Sequence, residues 1–152
     1  MALYLAQHGK CYPAEADPDR KLTEEGMSES GKTGSMLKKR NIHVRRIVHS
    51  GKTRARETAE IFSLYLTPEG GVAGMDGMNP NDSVEEFAGK LSFDDTLYVG
   101  HLPFMGKLAS LLVTGDTASE AVKFRNSCVV CLEKDASSGS VSVSWVIHPD
   151  SE

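Results

Sequence analysis

Apolar residues fall along this chain in short blocks whose spacing alternates between two periods. Residues 2–6, Ala-Leu-Tyr-Leu-Ala, form an unbroken apolar run that opens directly into Gln7-His8-Gly9, which predicts a buried strand. Residues 44–49 and 96–99 predict two more, one ending at His49-Ser50-Gly51 and the other at Gly100-His101. Helical patterns separate them. Thr23 followed by Glu24 and Glu25 predicts an N-cap and an acidic first turn for a helix running to Lys39, although Gly26, Gly31 and Gly34 each lower its propensity. Ala55, Ala59, Phe62 and Leu66 lie at helical spacing and predict a helix over 54–66. Residues 11–20 and 68–80 hold prolines and the polar or small residues of loops, and Asp82 is expected to cap a short helix through 91. Pro103 suits the first turn of a helix over 104–113. Residues 128–133 and 141–147, joined by a Ser/Gly turn, predict two closing strands.

Strands that alternate with helices before a terminal strand pair imply an α/β fold, a three-layer sandwich whose mostly parallel central sheet is flanked by helices. A chain of 152 residues fits one domain spanning 1–152 and buries enough surface to need no disulfide. Ligands of such sheets bind beyond the carboxyl ends of the strands. The polar strand ends at Gln7-His8-Gly9, His49-Ser50-Gly51 and Gly100-His101 therefore mark the candidate site.

Composition narrows the function classes. Seventeen basic and 21 acidic residues give a net charge of -4, which argues against a nucleic-acid binder. The basic run Lys38-Lys39-Arg40 falls at a helix end, where cations complement the dipole. Cys128 and Cys131 are three residues apart on a strand, so their thiols point to opposite faces; they read as packing residues, with no metal site expected. The first residues lack a basic leader and no segment reaches the length of a membrane span, so a cytoplasmic protein with no membrane partner is expected. Nothing in the sequence marks an oligomeric state.

His8, Arg54 and His101 form a chemically coherent set. A phosphoryl group needs a nucleophile, cationic donors for its oxygens and fixed geometry. His8 supplies the first, and Arg54 offers a planar fork of donors at a helix start, where backbone amides also favour an anion. Ser50-Gly51-Lys52-Thr53 lacks the upstream glycine of a nucleotide-binding loop. Ser50 is expected to hydrogen-bond the pocket loop or, preferably, to cap the following helix, His49 to be structural, and His43 and His148 to be exposed.

Four stretches resemble, in order, the motifs of the histidine phosphatase superfamily, and specifically its short SixA-type phosphohistidine phosphatases. Ala6-Gln7-His8-Gly9 is similar to the family's Arg-His-Gly signature, and Arg20-Lys21-Leu22-Thr23-Glu24-Glu25-Gly26 to its Arg-Pro-Leu-Thr-x-x-Gly segment. Residues 50–58, Ser-Gly-Lys-Thr-Arg-Ala-Arg-Glu-Thr, resemble Ser-x-x-x-Arg-Ala-x-Gln-Thr, and Gly100-His101-Leu102-Pro103 resembles Ser-His-Leu-Pro. The resemblance runs to the ending at Trp145 to Pro149.

It implies a phosphoglycerate mutase-like fold and a phosphatase that works without metal or cofactor. His8 would form a covalent phosphohistidine with Arg54 and His101 as its catalytic partners, and Gln7, Gly9, Arg20, Arg54 and His101 would bind substrate. The substrate would be phosphohistidine in a protein or a small phosphorylated molecule. A mutase is disfavoured by the short chain, which leaves little room for a substrate-clasping insertion.

The departure is Gln7, which stands where the family has its signature Arg and keeps a neutral donor without the charge. It sustains an alternative, a non-catalytic phosphate or phosphopeptide-binding module. Larger members carry an acid in the middle segment, where this chain offers Asp76, Asp82, Glu85 and Glu86. Asp82 is expected to cap and the two glutamates to face solvent, which tilts the substrate toward phosphohistidine or another activated phosphoryl donor.

Overall fold

Leu3 and Leu5 pack into one apolar cluster and Tyr4 and Ala6 into another, on opposite faces of the first strand. This alternation organises the molecule into three layers. The computed structural model describes residues 1–151. The elements are β1 (Ala2–Gln7), α1 (Glu24–Lys39), β2 (Arg46–His49), α2 (Thr53–Leu66), β3 (Val72–Gly74), α3 (Val84–Ala88), β4 (Thr96–Gly100), α4 (Phe104–Thr114), β5 (Val129–Lys134) and β6 (Val141–Ile147). Six strands form one sheet in the order β3-β2-β4-β1-β5-β6. β1, β2, β3 and β4 pair parallel, whereas β5 runs antiparallel to β1 and β6 antiparallel to β5. Leu37 of α1 and Ala55, Ala59 and Phe62 of α2 cover one face of the sheet. Phe87 of α3 and Phe104, Met105 and Leu108 of α4 cover the other. The expected mostly parallel sandwich is the observed fold. No helix among the described residues is long and apolar enough to cross a membrane.

Several local expectations change. Residues 68–80 were expected to form a loop throughout, but Val72, Ala73 and Gly74 pair with Ile47, Val48 and His49 as the edge strand β3. Three residues ending in glycine carry too little pattern to reveal a strand. β2 begins at Arg46 rather than 44, because the Arg45 amide already bonds to the Asp95 carbonyl at 2.8 Å. Ser83, not Asp82, caps α3 by accepting the Glu86 N–H; the Asp82 carboxylate accepts the Asn79 N–H at 2.8 Å instead. That helix ends at Ala88 rather than 91. Cys128 and Cys131 are both buried, one in each cluster, as their three-residue separation requires.

Thr23 does cap α1, accepting the Gly26 N–H at 2.9 Å. Gly26 is where α1 meets the segment after β1: a Cβ there would lie 2.1 Å from the Lys10 carbonyl oxygen. The close approach lets Lys10 accept the Thr23 N–H at 3.0 Å and so pins the loop that follows His8. Gly26→Ala should therefore destabilise the protein by about 1–3 kcal/mol through overpacking. Gly31 has room, its nearest neighbour being the Tyr65 hydroxyl at 3.4 Å, so Gly31→Ala should stabilise by about 0.5–1 kcal/mol through helix propensity. Urea unfolding followed by the fluorescence of the single tryptophan, Trp145, separates the two signs.

Candidate active site

His8 follows the last residue of β1, and its backbone is held from both sides. Its N–H bonds to the Gly100 carbonyl of β4 at 3.0 Å. Its carbonyl accepts the Asn126 side-chain amide at 3.1 Å and the Ser127 N–H at 3.2 Å, both from the turn before β5. Nδ1 of the ring lies 2.7 Å from the Gly9 carbonyl oxygen. A carbonyl can only accept, so Nδ1 carries the hydrogen and Nε2 of the neutral ring holds a free lone pair. Burial pulls the imidazole from its ordinary 6.5 down to about 4, opposed by the Gly9 hydrogen bond and assisted by the charges of Arg54 and Arg20. His8 is therefore neutral near pH 7.

Gly9 ties this segment to α2. Its N–H bonds to the Thr58 hydroxyl at 2.9 Å, and that hydroxyl donates to the Arg54 carbonyl at 2.8 Å. A Cβ at Gly9 would lie 2.8 Å from Ser30 Oγ and 3.0 Å from Ser127 Oγ, two hydroxyls that bond to each other. The residue after the histidine is thus confined to glycine by close packing.

Arg54 is the second residue of α2, after Lys52 in extended conformation at the N-cap. Its Nε is buried and meets no partner among the described residues. Burial, then the nearby Arg20 charge, lower its pKa, with Cys11 opposing. Arg20 adopts a left-handed backbone with φ of 51° and donates to the Tyr12 carbonyl at 3.3 Å and to Cys11 Sγ at 3.6 Å. Its charge bears on His8, Arg54 and His101 together.

His101 follows β4, is 1% exposed, and stacks at a tilt against His8 with ring centres 5.1 Å apart. Its Nε2 lies 2.6 Å from Ser50 Oγ, while its Nδ1 is buried without a partner. Burial, then the charges of His8, Arg54, Lys52 and Arg20, bring it down to about 3. Gln7 pairs with Gly100 in the sheet, each directly before one of the two histidines, and its Oε1 is also buried without a partner among the described residues.

The structure brings the predicted residues Gln7, His8, Gly9, Arg20, Arg54 and His101 to one end of the sheet. The result is a neutral imidazole with one free nitrogen, near an Arg54 Nε and a His101 Nδ1 that meet no partner among the described residues. Buried polar atoms without partners are rare, and three of them, Gln7 Oε1, Arg54 Nε and His101 Nδ1, belong to this group of residues. Of the two roles expected for Ser50, the preferred cap is not the one observed: Lys52 is the N-cap, no side chain caps α2, and the Ser50 hydroxyl meets His101. His49 is structural as expected, its Nδ1 accepting the Gly51 N–H at 3.0 Å. Thr58, Asn126 and Ser127, which hold His8 and Gly9, were not foreseen. Glu85, Glu86 and Asp76 are exposed, and no hydrogen bond or ion pair joins them or Asp82 to His8, Arg54 or His101. Among the described residues no group of three or more His, Cys, Asp or Glu side chains is placed to hold a metal ion.

Known proteins resemble this chain in sequence and in fold. The family model of the histidine phosphatase superfamily (branch 1) matches residues 3–70. Phosphohistidine phosphatase SixA of Escherichia coli (strain K12) is 25% identical over 98% of this chain and 94% of its own length. An uncharacterized protein of Picosynechococcus sp. is 31% identical over 77% of this chain and 76% of its own. The solved structure of the protein histidine phosphatase SixA complexed with tungstate superposes with a TM-score of 0.84 at 25% identity, covering 98% of this chain and 97% of that one. Alpha-ribazole phosphatase from Shigella flexneri shares the fold, with a TM-score of 0.79 at 14% identity over 98% and 97% of the two chains.

The His8 environment has a titration consequence. Its folded pKa of about 4 lies below the ordinary 6.5, so between these values the unfolded chain binds a proton that the folded site refuses. The His8 contribution to stability is complete above 6.5 and is lost as pH falls toward 4. An NMR titration should show the His8 ring titrating well below an exposed histidine. Thr58→Val, which removes the bond to the Gly9 amide, should cost about 1–3 kcal/mol of stability by leaving that buried donor unpaired, as read by thermal unfolding.

Proposed function

This chain belongs to the histidine phosphatase superfamily, and we propose that it is a phosphohistidine phosphatase-like hydrolase, one domain spanning 1–152, that works through a covalent intermediate on His8. The observation that carries the reading is the neutral His8 ring, with Nδ1–H tied to the Gly9 carbonyl, beside the unpartnered Arg54 Nε and His101 Nδ1. Nε2 attacks phosphorus, and the bond to the leaving group breaks with its electron pair as the P–N bond forms. The positive charge that develops on the ring is stabilised through Nδ1–H by the Gly9 carbonyl. Water then attacks phosphorus, the P–N bond breaks, and phosphate leaves with His8 neutral again.

Arg54, Arg20 and His101 hold the phosphoryl oxygens and stabilise charge during transfer, the Gly9 segment shapes the site around them, and Gln7 adds a neutral amide. Positioning and preset dipoles suffice for this chemistry, and in this reading no metal takes part. The substrate is phosphohistidine in a protein, or a small phosphorylated molecule with an equally good leaving group. Support comes from the exposed or otherwise engaged acids of the middle segment: an imidazole leaves more readily than an alkoxide and has less need of a general acid. A second reading, a phosphate or phosphopeptide-binding module without turnover, is favoured by Gln7 alone.

Single-turnover labelling with phosphoramidate or a phosphohistidine peptide tests the two. The enzyme reading expects an acid-labile phosphate on the protein, absent from His8→Ala, and release of inorganic phosphate. Gln7→Arg should raise the rate roughly tenfold to a hundredfold, because a hydrogen bond to a charged group is worth about 1.5–3 kcal/mol. Phosphate binding with no label in any variant would leave the binding module standing.

A further inference from the structure

The contact between Ser50 and His101 determines which ring nitrogen can meet a ligand. Ser50 Oγ lies 2.6 Å from Nε2 of His101 and also accepts the backbone N–H of Lys52 at 3.3 Å. The other ring nitrogen, Nδ1, is buried and meets no partner among the described residues. His101 is neutral near pH 7, since burial and the surrounding positive groups hold it at about 3. A neutral imidazole carries one hydrogen, so one nitrogen donates and the other accepts.

Two arrangements fit the 2.6 Å contact. With the hydrogen on Nε2, the ring donates to Ser50, whose own proton then has no acceptor among its contacts, and Nδ1 becomes a bare buried acceptor. With the hydrogen on Nδ1, Ser50 gives its proton to Nε2 and uses a lone pair for Lys52, and only the Nδ1–H remains open. The second arrangement leaves one polar group unmet instead of two. The group left open is a donor, set among Arg54, Lys52 and Arg20, whose charges draw an anion toward it.

We propose that Ser50 is a positioning residue: it donates to Nε2 of His101, fixes the Nδ1–H tautomer, and so prepares that hydrogen to bind a phosphoryl oxygen. This deepens the phosphatase reading and rests on it for the identity of the anion. The tautomer itself depends only on the unliganded protein. The choice of nitrogen matters because the other tautomer would present a lone pair to the phosphoryl oxygens, and two acceptors repel.

Long-range proton–nitrogen NMR of protein labelled with 15N in its histidines reads the tautomer directly. The wild type should show a pyrrole-type Nδ1 and a pyridine-type Nε2 for His101, and added inorganic phosphate should shift the Nδ1–H proton. Ser50→Ala should mix the tautomers and lower both phosphate affinity and kcat/KM about tenfold, and Ser50→Thr, which keeps the hydroxyl, should restore all three. A wild-type ring protonated at Nε2, or a Ser50→Ala ring with an unchanged tautomer, would overturn the inference. So would phosphate binding that leaves the Nδ1–H signal in place. The expected spectra without turnover of phosphoramidate would support the tautomer and sink the phosphatase reading alone; turnover with the opposite tautomer would do the reverse.

Discussion

The 2.7 Å hydrogen bond between His8 Nδ1 and the Gly9 carbonyl is a local contact, between neighbours in the chain, yet the rest of the site is arranged to keep it possible. For the bond to form, the Gly9 carbonyl must turn back toward the ring, and the Gly9 amide must find a partner elsewhere. Thr58 provides that partner from α2, and Lys10 beyond it is seated on the glycine face of α1. Two helices and the β5 turn thus converge on three residues. The consequence is chemical: the ring holds one tautomer, and its Nε2 takes no hydrogen bond from the described residues.

The sheet supplies the second constraint. Parallel pairing of β1, β4 and β2 brings the residues after β1, β4 and β2 to one side. Side chains far apart in sequence, His8, Ser50 and His101, meet because their strands end together. The antiparallel β5 contributes differently, since it enters at that same end and its preceding turn clamps His8 with Asn126 and Ser127. One geometry delivers the reactive groups and another holds them still.

Much of this was legible in the sequence, for reasons that differ from residue to residue. His8 and His101 stood out because a polar residue directly after an unbroken apolar run sits at a strand end. The opposed faces of Cys128 and Cys131 follow from the period of two. Arg54 was recognisable from its place at a helix start within a motif. For Ser50 the cap was preferred over a pocket contact because a serine before a helix is by default a cap, whereas its observed partner lies 51 residues away. Asn126 reaches His8 across 118 residues, and no local pattern announces such a contact. β3 escaped because a three-residue edge strand needs neither alternation nor much burial to form.

Arg54, Arg20 and Lys52 bear together on His101, and Arg54 and Arg20 on His8. Ligand-free, the protein therefore keeps like charges in proximity, and that repulsion opposes the compact state. A tetrahedral oxyanion, as proposed, would offset it and accept from the open Arg54 Nε–H and His101 Nδ1–H. Occupancy and folding are then thermodynamically linked, and stability rises with the logarithm of anion concentration above the dissociation constant. In the proposed reading, phosphate at this site would couple the stability of the protein to the supply of its own reaction product.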